Sequence, residues 1–231
     1  MHQHIWSDNL LFKSATAPEM RGEFEARQVA CLKGRHHLFS NIHIQLHAGH
    51  ALHIRGSNGS GKSSLLRILC GLNMPAEGAV LWRGKSIQKI KEEFHQNVLF
   101  HGHANGIKDD LLAWENISFS ARLVGQQVSY EEACTALEAM GVLQIAQLPA
   151  RQLSQGQRKR LALARLYFPQ LPELLILDEA FSALDQKSTA ALATILRAHL
   201  QRGGMLIYTT HQDIQLQVSD HHELWLGKYS C

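Results

Sequence analysis

The chain has 231 residues, 45% of them hydrophobic and 19% charged, with five prolines. At roughly 150 residues per domain this is one large unit or two small ones, and the composition excludes a disordered, collagen-like or Pro-rich linker protein. The net charge of +3 is too small to point to nucleic acid by itself.

Cys31, Cys70, Cys134 and Cys231 are scattered, with no C-x-x-C pair. That argues against a zinc ribbon or thioredoxin-type site, and a reducing cytosolic compartment is expected. Met1–Lys13 has no basic n-region, so no secretory signal is expected there. Residues 1–22 show no clear periodicity and are read as an N-terminal extension, with Met20 an alternative start. The longest stretch without Asp, Glu, Lys or Arg is His36–Ile54, and its six histidines bar it from hydrocarbon.

The first convincing element begins near Phe24. Residues 42–47 alternate with a period of two and predict a half-buried strand with Ile42, Ile44 and Leu46 inward. Residues 51–55 predict a second strand, ending at a Gly-rich loop. A helix is expected from Lys62 to about Cys70, stopped by Gly71. Residues 79–87 around Arg83-Gly84 predict a hairpin, and Asn97–Phe100 a short strand. Helical stretches follow near 110–124 and 130–140, with Gly125 and Gly141 as stops; they are read as a helical subdomain at about 105–152 inserted in an α/β core. The core resumes with a helix at 157–168, a strand at 174–177, a helix near 186–201, and strands at 205–209 and near 223–227. Alternating strands and helices predict a largely parallel sheet.

Gly56-Ser57-Asn58-Gly59-Ser60-Gly61-Lys62-Ser63 fits G-x-x-x-x-G-K-[ST], with a strand before it and a helix after. Glycines let successive backbone N–H groups point into one concavity, and the helix N-terminus adds positive charge. Lys62 reaches for β- and γ-phosphates, and the Ser63 hydroxyl for Mg²⁺. Leu174–Leu177 followed by Asp178-Glu179 reads as a buried strand delivering two carboxylates to the C-terminal edge of the sheet. Asp178 suits Mg²⁺ through water, and Glu179 suits orienting the attacking water. The run Arg158-Lys159-Arg160 is read as a solvated helix face rather than a nucleic-acid patch. The histidines at 36–53 are read as a polar strand face: no carboxylate or Cys completes a ligand set there.

Leu153-Ser154-Gln155-Gly156-Gln157, about 25 residues before Asp178, resembles the LSGGQ signature of ABC ATPases. Ser182-Ala183-Leu184-Asp185 is similar to the family's D-loop, and His211 to its switch histidine. The resemblance runs from about residue 25 to 225 and implies a P-loop NTPase of the ABC ATPase fold, spanning 23–231: a RecA-like core with an antiparallel β subdomain and the inserted helical subdomain. It implies ATP and Mg²⁺ as cofactors. The site would comprise Gly56 to Ser64 on the nucleotide, Ser63 and Asp178 on the metal, and Lys62, Glu179 and His211 in catalysis. In a head-to-tail homodimer, Ser154, Gly156 and Gln157 would cover the γ-phosphate held by the other copy. Departures are expected to matter at two places. No Gln follows the strand at 97–100, where His103 or Ala104 stands, and no aromatic for adenine stands at 33–36, where Arg35 or His36 would have to stack. Ala180 in place of the usual Pro is expected to be tolerated.

Phe94–Phe100, Gly102-His103, Gly106-Ile107-Lys108, Leu163–Leu166 and Thr209–Gln212 further resemble the ATP-binding subunits of cytochrome c maturation, the haem exporter ATPases. This implies a peripheral subunit at the cytoplasmic face of a bacterial inner membrane, with CcmB- and CcmC-like multi-span partners and no nucleic acid. Besides the ATPase subunit of another small ABC transporter, two other readings are a soluble ABC ATPase of repair or translation, and a regulatory subunit with impaired hydrolysis. The first calls for coiled coils, zinc insertions or a fused second unit, which this sequence does not show; against the second stand Lys62, Asp178, Glu179 and His211.

Overall fold

A computed structural model describes residues 23–34, 36–102 and 104–228, with the side chains of His36 and Lys228 left aside. The proposed extension at 1–22, and Arg35 and His103, lie outside the described residues. Nine strands and six α-helices are defined there: β1 (Glu23–Lys33), β2 (His36–His47), β3 (Ala51–Arg55), α1 (Lys62–Leu69), β4 (Glu77–Trp82), β5 (Lys85–Ser86), α2 (Lys91–Asn97), β6 (Val98–His101), α3 (Ala113–Arg122), α4 (Tyr130–Ala139), α5 (Gln155–Ala164), β7 (Leu174–Leu177), α6 (Gln186–Gln201), β8 (Met205–Tyr208) and β9 (His221–Trp225).

The strands form two sheets. β2-β1-β4-β5 is antiparallel, and β6-β7-β8-β3-β9 is parallel throughout. The inner strands β3, β7 and β8 of the parallel sheet are buried on both faces, as their near-continuous apolar runs require, whereas the edge strand β9 buries only Leu224. Leu52, Ile54, Leu174, Ile176, Met205 and Ile207 join α1 and the inner face of the antiparallel sheet in one core. The alternate residues Ala51, Leu175, Leu177, Leu206 and Tyr208 join α3, α4, α5 and α6 in a second. Each fully buried Leu or Ile contributes roughly 1.5–3 kcal/mol, so the period of two along these strands cements both layers at once. No helix among the described residues is long and apolar enough to cross a membrane.

Local rules explain most boundaries. Ile42, Ile44 and Leu46 are buried as their alternation predicts, while the strand extends back to His36 because β1 pairs with it along its length. Arg83 and Gly84 both take left-handed φ, of 51° and 74°, which closes the two-residue β4–β5 turn with the twist of its strands. Gly125 and Gly141, at φ 76° and 69°, end α3 and α4. α5 begins two residues before the predicted 157, because Ser154 and Gln157 form a reciprocal capping box, and it ends at Ala164 in a 3₁₀ turn. The final strand, expected near 223–227, lies at His221–Trp225, where it pairs with β3.

Candidate functional site

The parallel strands deliver the acidic, basic and hydroxylic residues to one edge. β3 runs into the loop 56–61, β7 into Asp178-Glu179, and β8, which lies between them, into Thr209-Thr210-His211. Ligands gather at this carboxyl edge in open α/β sheets.

The loop is shaped by its glycines. Gly59 and Gly61 have φ of 84° and 98°. A Cβ on Gly56 would meet the Ser60 hydroxyl at 2.6 Å, and one on Gly61 would meet the Phe39 ring at 3.1 Å. Gly61 caps α1, whose first turn, starting Lys62-Ser63-Ser64, contains no acidic residue. The Lys62 ammonium donates to the Gly56 and Ser57 carbonyls at 2.8 and 3.0 Å, which folds it back over the loop. The Ser60 hydroxyl is buried without a hydrogen-bond partner. Hydroxyls at the start of α1 and the buried Asp178 carboxylate at a nearby strand end are the hard oxygen donors a divalent cation takes.

Asp178 and Glu179 are held differently. The Asp178 amide donates to the His101 carbonyl at 2.8 Å, and its Oδ1 accepts from the Thr209 hydroxyl at 2.8 Å. The same Thr209 Oγ1 accepts from the Glu179 amide at 2.9 Å. Glu179 has a left-handed φ of 52°, a conformation that costs a non-glycine residue roughly 1–2 kcal/mol. Its Oε1 is buried without a hydrogen-bond partner, and His211 Nε2 stands 3.4 Å away. His211 itself is exposed. Behind it, the buried His53 ring stacks on Tyr208 and places Nε2 3.2 Å from the Thr210 carbonyl. Its Nδ1 accepts from Arg55 at 3.1 Å, so Nε2 carries the hydrogen in that pair, and burial pushes the His53 pKa down.

Ser154 and Gln157 are occupied by the helix cap: the Gln157 amide donates to the Ser154 hydroxyl, and the Ser154 amide to Gln157 Oε1. Gly156 faces open space, with nothing within 4 Å of where a Cβ would stand. Gln155 and Gly156 line a cleft of about 400 Å³ together with Asn105, Asp178 and Ser182. Of the two candidates for the missing Gln, His103 lies outside the described residues, and Ala104 is exposed and has no hydrogen-bonding side chain. For the adenine position, Arg35 and the side chain of His36 lie outside them as well.

The basic run is corrected by the structure: Arg158-Lys159-Arg160 is not a solvated face. All three residues are half-buried. Arg158 pairs with Asp109 and donates to the Ala150 carbonyl, and Arg160 lies 3.5 Å from Asp185. Lys159 turns inward to the Glu179 carbonyl and the Ser182 hydroxyl. Sequence reasoning missed Lys159 and Thr209. Thr209 carries a weak signal, a hydroxyl where an apolar strand meets its loop. Among the described residues no three His, Cys, Asp or Glu gather as a metal-binding group.

Residues 39–182 match the ABC transporter family. The chain is 42% identical over 212 residues to the cytochrome c biogenesis ATP-binding export protein CcmA of Nitrosomonas europaea, covering 92% of this chain and 99% of that one. It is 44% identical over 193 residues to the CcmA of Aromatoleum aromaticum, covering 84% and 90%. Among solved structures, an ATP-binding protein of an ABC transporter from Pyrococcus furiosus superposes with a TM-score of 0.74 at 22% identity, over 90% of this chain and all of that one. A dimeric ATP-binding cassette bound to ADP and phosphate gives 0.68 at 23%, over 82% and 88%. With the phosphate loop and the paired acids at one sheet edge and the start of the signature helix lining a cleft with Asp178, the chain belongs to the ABC transporter ATP-binding family, within its cytochrome c biogenesis export branch, and is an ATPase.

Proposed function

We propose that this chain hydrolyses ATP to drive haem export, or release of a haem-loaded chaperone, in c-type cytochrome biogenesis. It would act as a peripheral subunit at the cytoplasmic face of a bacterial inner membrane, with CcmB- and CcmC-like multi-span partners. Its relatives' shared name and their 42–44% identity support the pathway. The observation that carries the chemistry is the half-buried Glu179 carboxylate, whose buried Oε1 has no hydrogen-bond partner and stands 3.4 Å from His211 Nε2.

In this reading the amides of 56–61 and the Lys62 ammonium grip the β- and γ-phosphates. Lys62 exchanges its hold on the Gly56 and Ser57 carbonyls for phosphate oxygens. Glu179 Oε1 accepts a hydrogen bond from the attacking water, orients it in line and takes up its proton. His211 faces both that carboxylate and solvent, where it meets the charge developing on the γ-phosphate. Ser63 and Asp178 would hold Mg²⁺, which when bound neutralises β- and γ-phosphate oxygens. Two copies pack head to tail, so that the exposed Ser154, the open Gly156 and Gln157 of one close over the nucleotide of the other.

Glu179→Gln should keep ATP binding, lower turnover on the order of 10²–10⁴-fold, and trap an ATP-bound dimer seen by size-exclusion chromatography with light scattering. Lys62→Ala should abolish triphosphate binding. Wild-type turnover in either variant overturns these roles. Affinity purification of the tagged chain from detergent-solubilised membranes tests the pathway: small multi-span cytochrome c maturation proteins are expected, and a different permease would remove haem from the reading.

A further inference from the structure

We infer that Lys159 is a positioning residue for hydrolysis: its ammonium ties the signature helix to the backbone that carries Glu179. The inference rests on the proposed role of Glu179 and adds to it.

Lys159 lies one turn into α5, three residues after Gly156, so both line the same cleft. Its Nζ donates to the Glu179 carbonyl at 2.6 Å and to the Ser182 hydroxyl at 2.5 Å. The Ser182 hydroxyl donates to the same Glu179 carbonyl at 2.8 Å, and the Ser182 amide reaches it at 3.2 Å. One carbonyl thus gathers three donors, and it belongs to a residue with φ of 52°. A left-handed non-glycine residue persists only where its surroundings over-determine it. The Glu179 amide is fixed separately by Thr209, so the Lys159–Ser182 clamp fixes the other end of the residue. Burial pushes the Lys159 pKa down while Glu179 and then Asp178 push it back, as expected of an ammonium held against the acidic pair.

The clamp spans two elements. A shift of α5 of about 1 Å stretches the Lys159–Glu179 bond beyond good geometry, and misplacement on that scale costs up to about 10²-fold in rate. Lys159 does not touch the reacting atoms; it holds the carbonyl side of the residue whose carboxylate does.

The test compares Lys159→Met, which keeps the stem and removes the donor, with Lys159→Arg, which restores one, in the native membrane complex. The expected result for Lys159→Met is a kcat lowered tenfold or more, with the KM for ATP and the thermal midpoint near wild type. Lys159→Arg should recover much of that loss. A wild-type kcat for Lys159→Met overturns the inference. So does a kcat loss that Lys159→Arg fails to recover, or one that falls in step with the thermal midpoint and a rising KM, since that is the pattern of a structural role. If Lys159→Met does not fold, Ser182→Ala decides: a lowered kcat at unchanged KM supports the clamp and a wild-type kcat refutes it. Glu179→Gln is assayed alongside. If it turns over like wild type, the reading of Glu179 fails; if it is inactive while Lys159→Met is not impaired, only the role of Lys159 fails.

Discussion

The Thr209 hydroxyl donates to Asp178 Oδ1 and accepts from the Glu179 amide, and the residue is fully buried. Valine has nearly the same shape and neither capacity. Thr209→Val should therefore lower stability by about 1–3 kcal/mol, the cost of leaving buried polar groups unsatisfied. Thr209→Ser should stay within about 1 kcal/mol of wild type. Urea denaturation of the two variants checks this, and equal losses would remove the hydroxyl's role. At this scale the loop 56–63 and the acids could be read from residue types that phosphate and water chemistry demand, whereas His211 was read only from the resemblance to the family's switch histidine. Thr209 and Lys159 were not: their partners lie 31 and 20 residues away, on elements whose contact only the fold creates.

Gly78 in β4 and Gly84 in the β4–β5 turn separate two effects. Both have positive φ, of 81° and 74°. A Cβ on Gly84 meets nothing within 4 Å, whereas one on Gly78 would stand 2.2 Å from the Arg27 carbonyl oxygen and 2.4 Å from that of Gln28. These carbonyls belong to the irregular stretch of β1 between Arg27 and Ala30, where its register against β4 shifts. Gly84→Ala should cost only the left-handed penalty of roughly 1–2 kcal/mol. Gly78→Ala must also push backbone aside and should cost at least twice as much. Chemical denaturation of both variants checks the ratio, and similar losses would show that β1 yields freely.

Elements were legible in proportion to how much of their fate is local. The strands at 51–55 and 174–177 and the helix at 186–201 match the structure because each is a continuous periodic run with turn or capping residues at its ends. α2 was not anticipated. Lys91–Asn97 is short and buries Phe94 alone, so its sequence carries no helical stripe. Its ring sits 6.4 Å from Phe24 and 5.7 Å from Trp82, and that tertiary contact supplies what the periodicity lacks.

Acid should weaken the whole molecule through its buried imidazoles. His199 is nearly fully buried in α6, with Nε2 3.3 Å from the Met205 carbonyl and Gly204 packed where no Cβ fits. Burial lowers its pKa from the ordinary 6.5 to about 4. Below pH 6.5 the unfolded chain therefore binds a proton that the folded chain refuses. Stability is fully present above 6.5 and is lost as pH falls toward 4, by up to about 3 kcal/mol. His53, His221 and His50, shifted in the same direction by burial, add to the slope. Unfolding free energies measured between pH 7 and 4 should fall steeply in wild type and less steeply in His199→Gln. Parallel slopes would show that His199 takes up its proton without unfolding.

The strand order of the parallel sheet also bears on how the molecule is made. β3, which carries the phosphate loop, has only β8 and β9 as neighbours, and these come from residues 205–208 and 221–225. During synthesis the nucleotide loop leaves the ribosome about 150 residues before either flanking strand. Such distant pairing is slow, because the intervening chain must be closed before any contact repays it. Meanwhile the antiparallel sheet, whose four strands all lie before residue 87, can assemble by itself. The nascent chain is therefore a structured amino-terminal sheet trailing an unpaired apolar strand, and ATP has no completed sheet edge to bind until the last strands arrive.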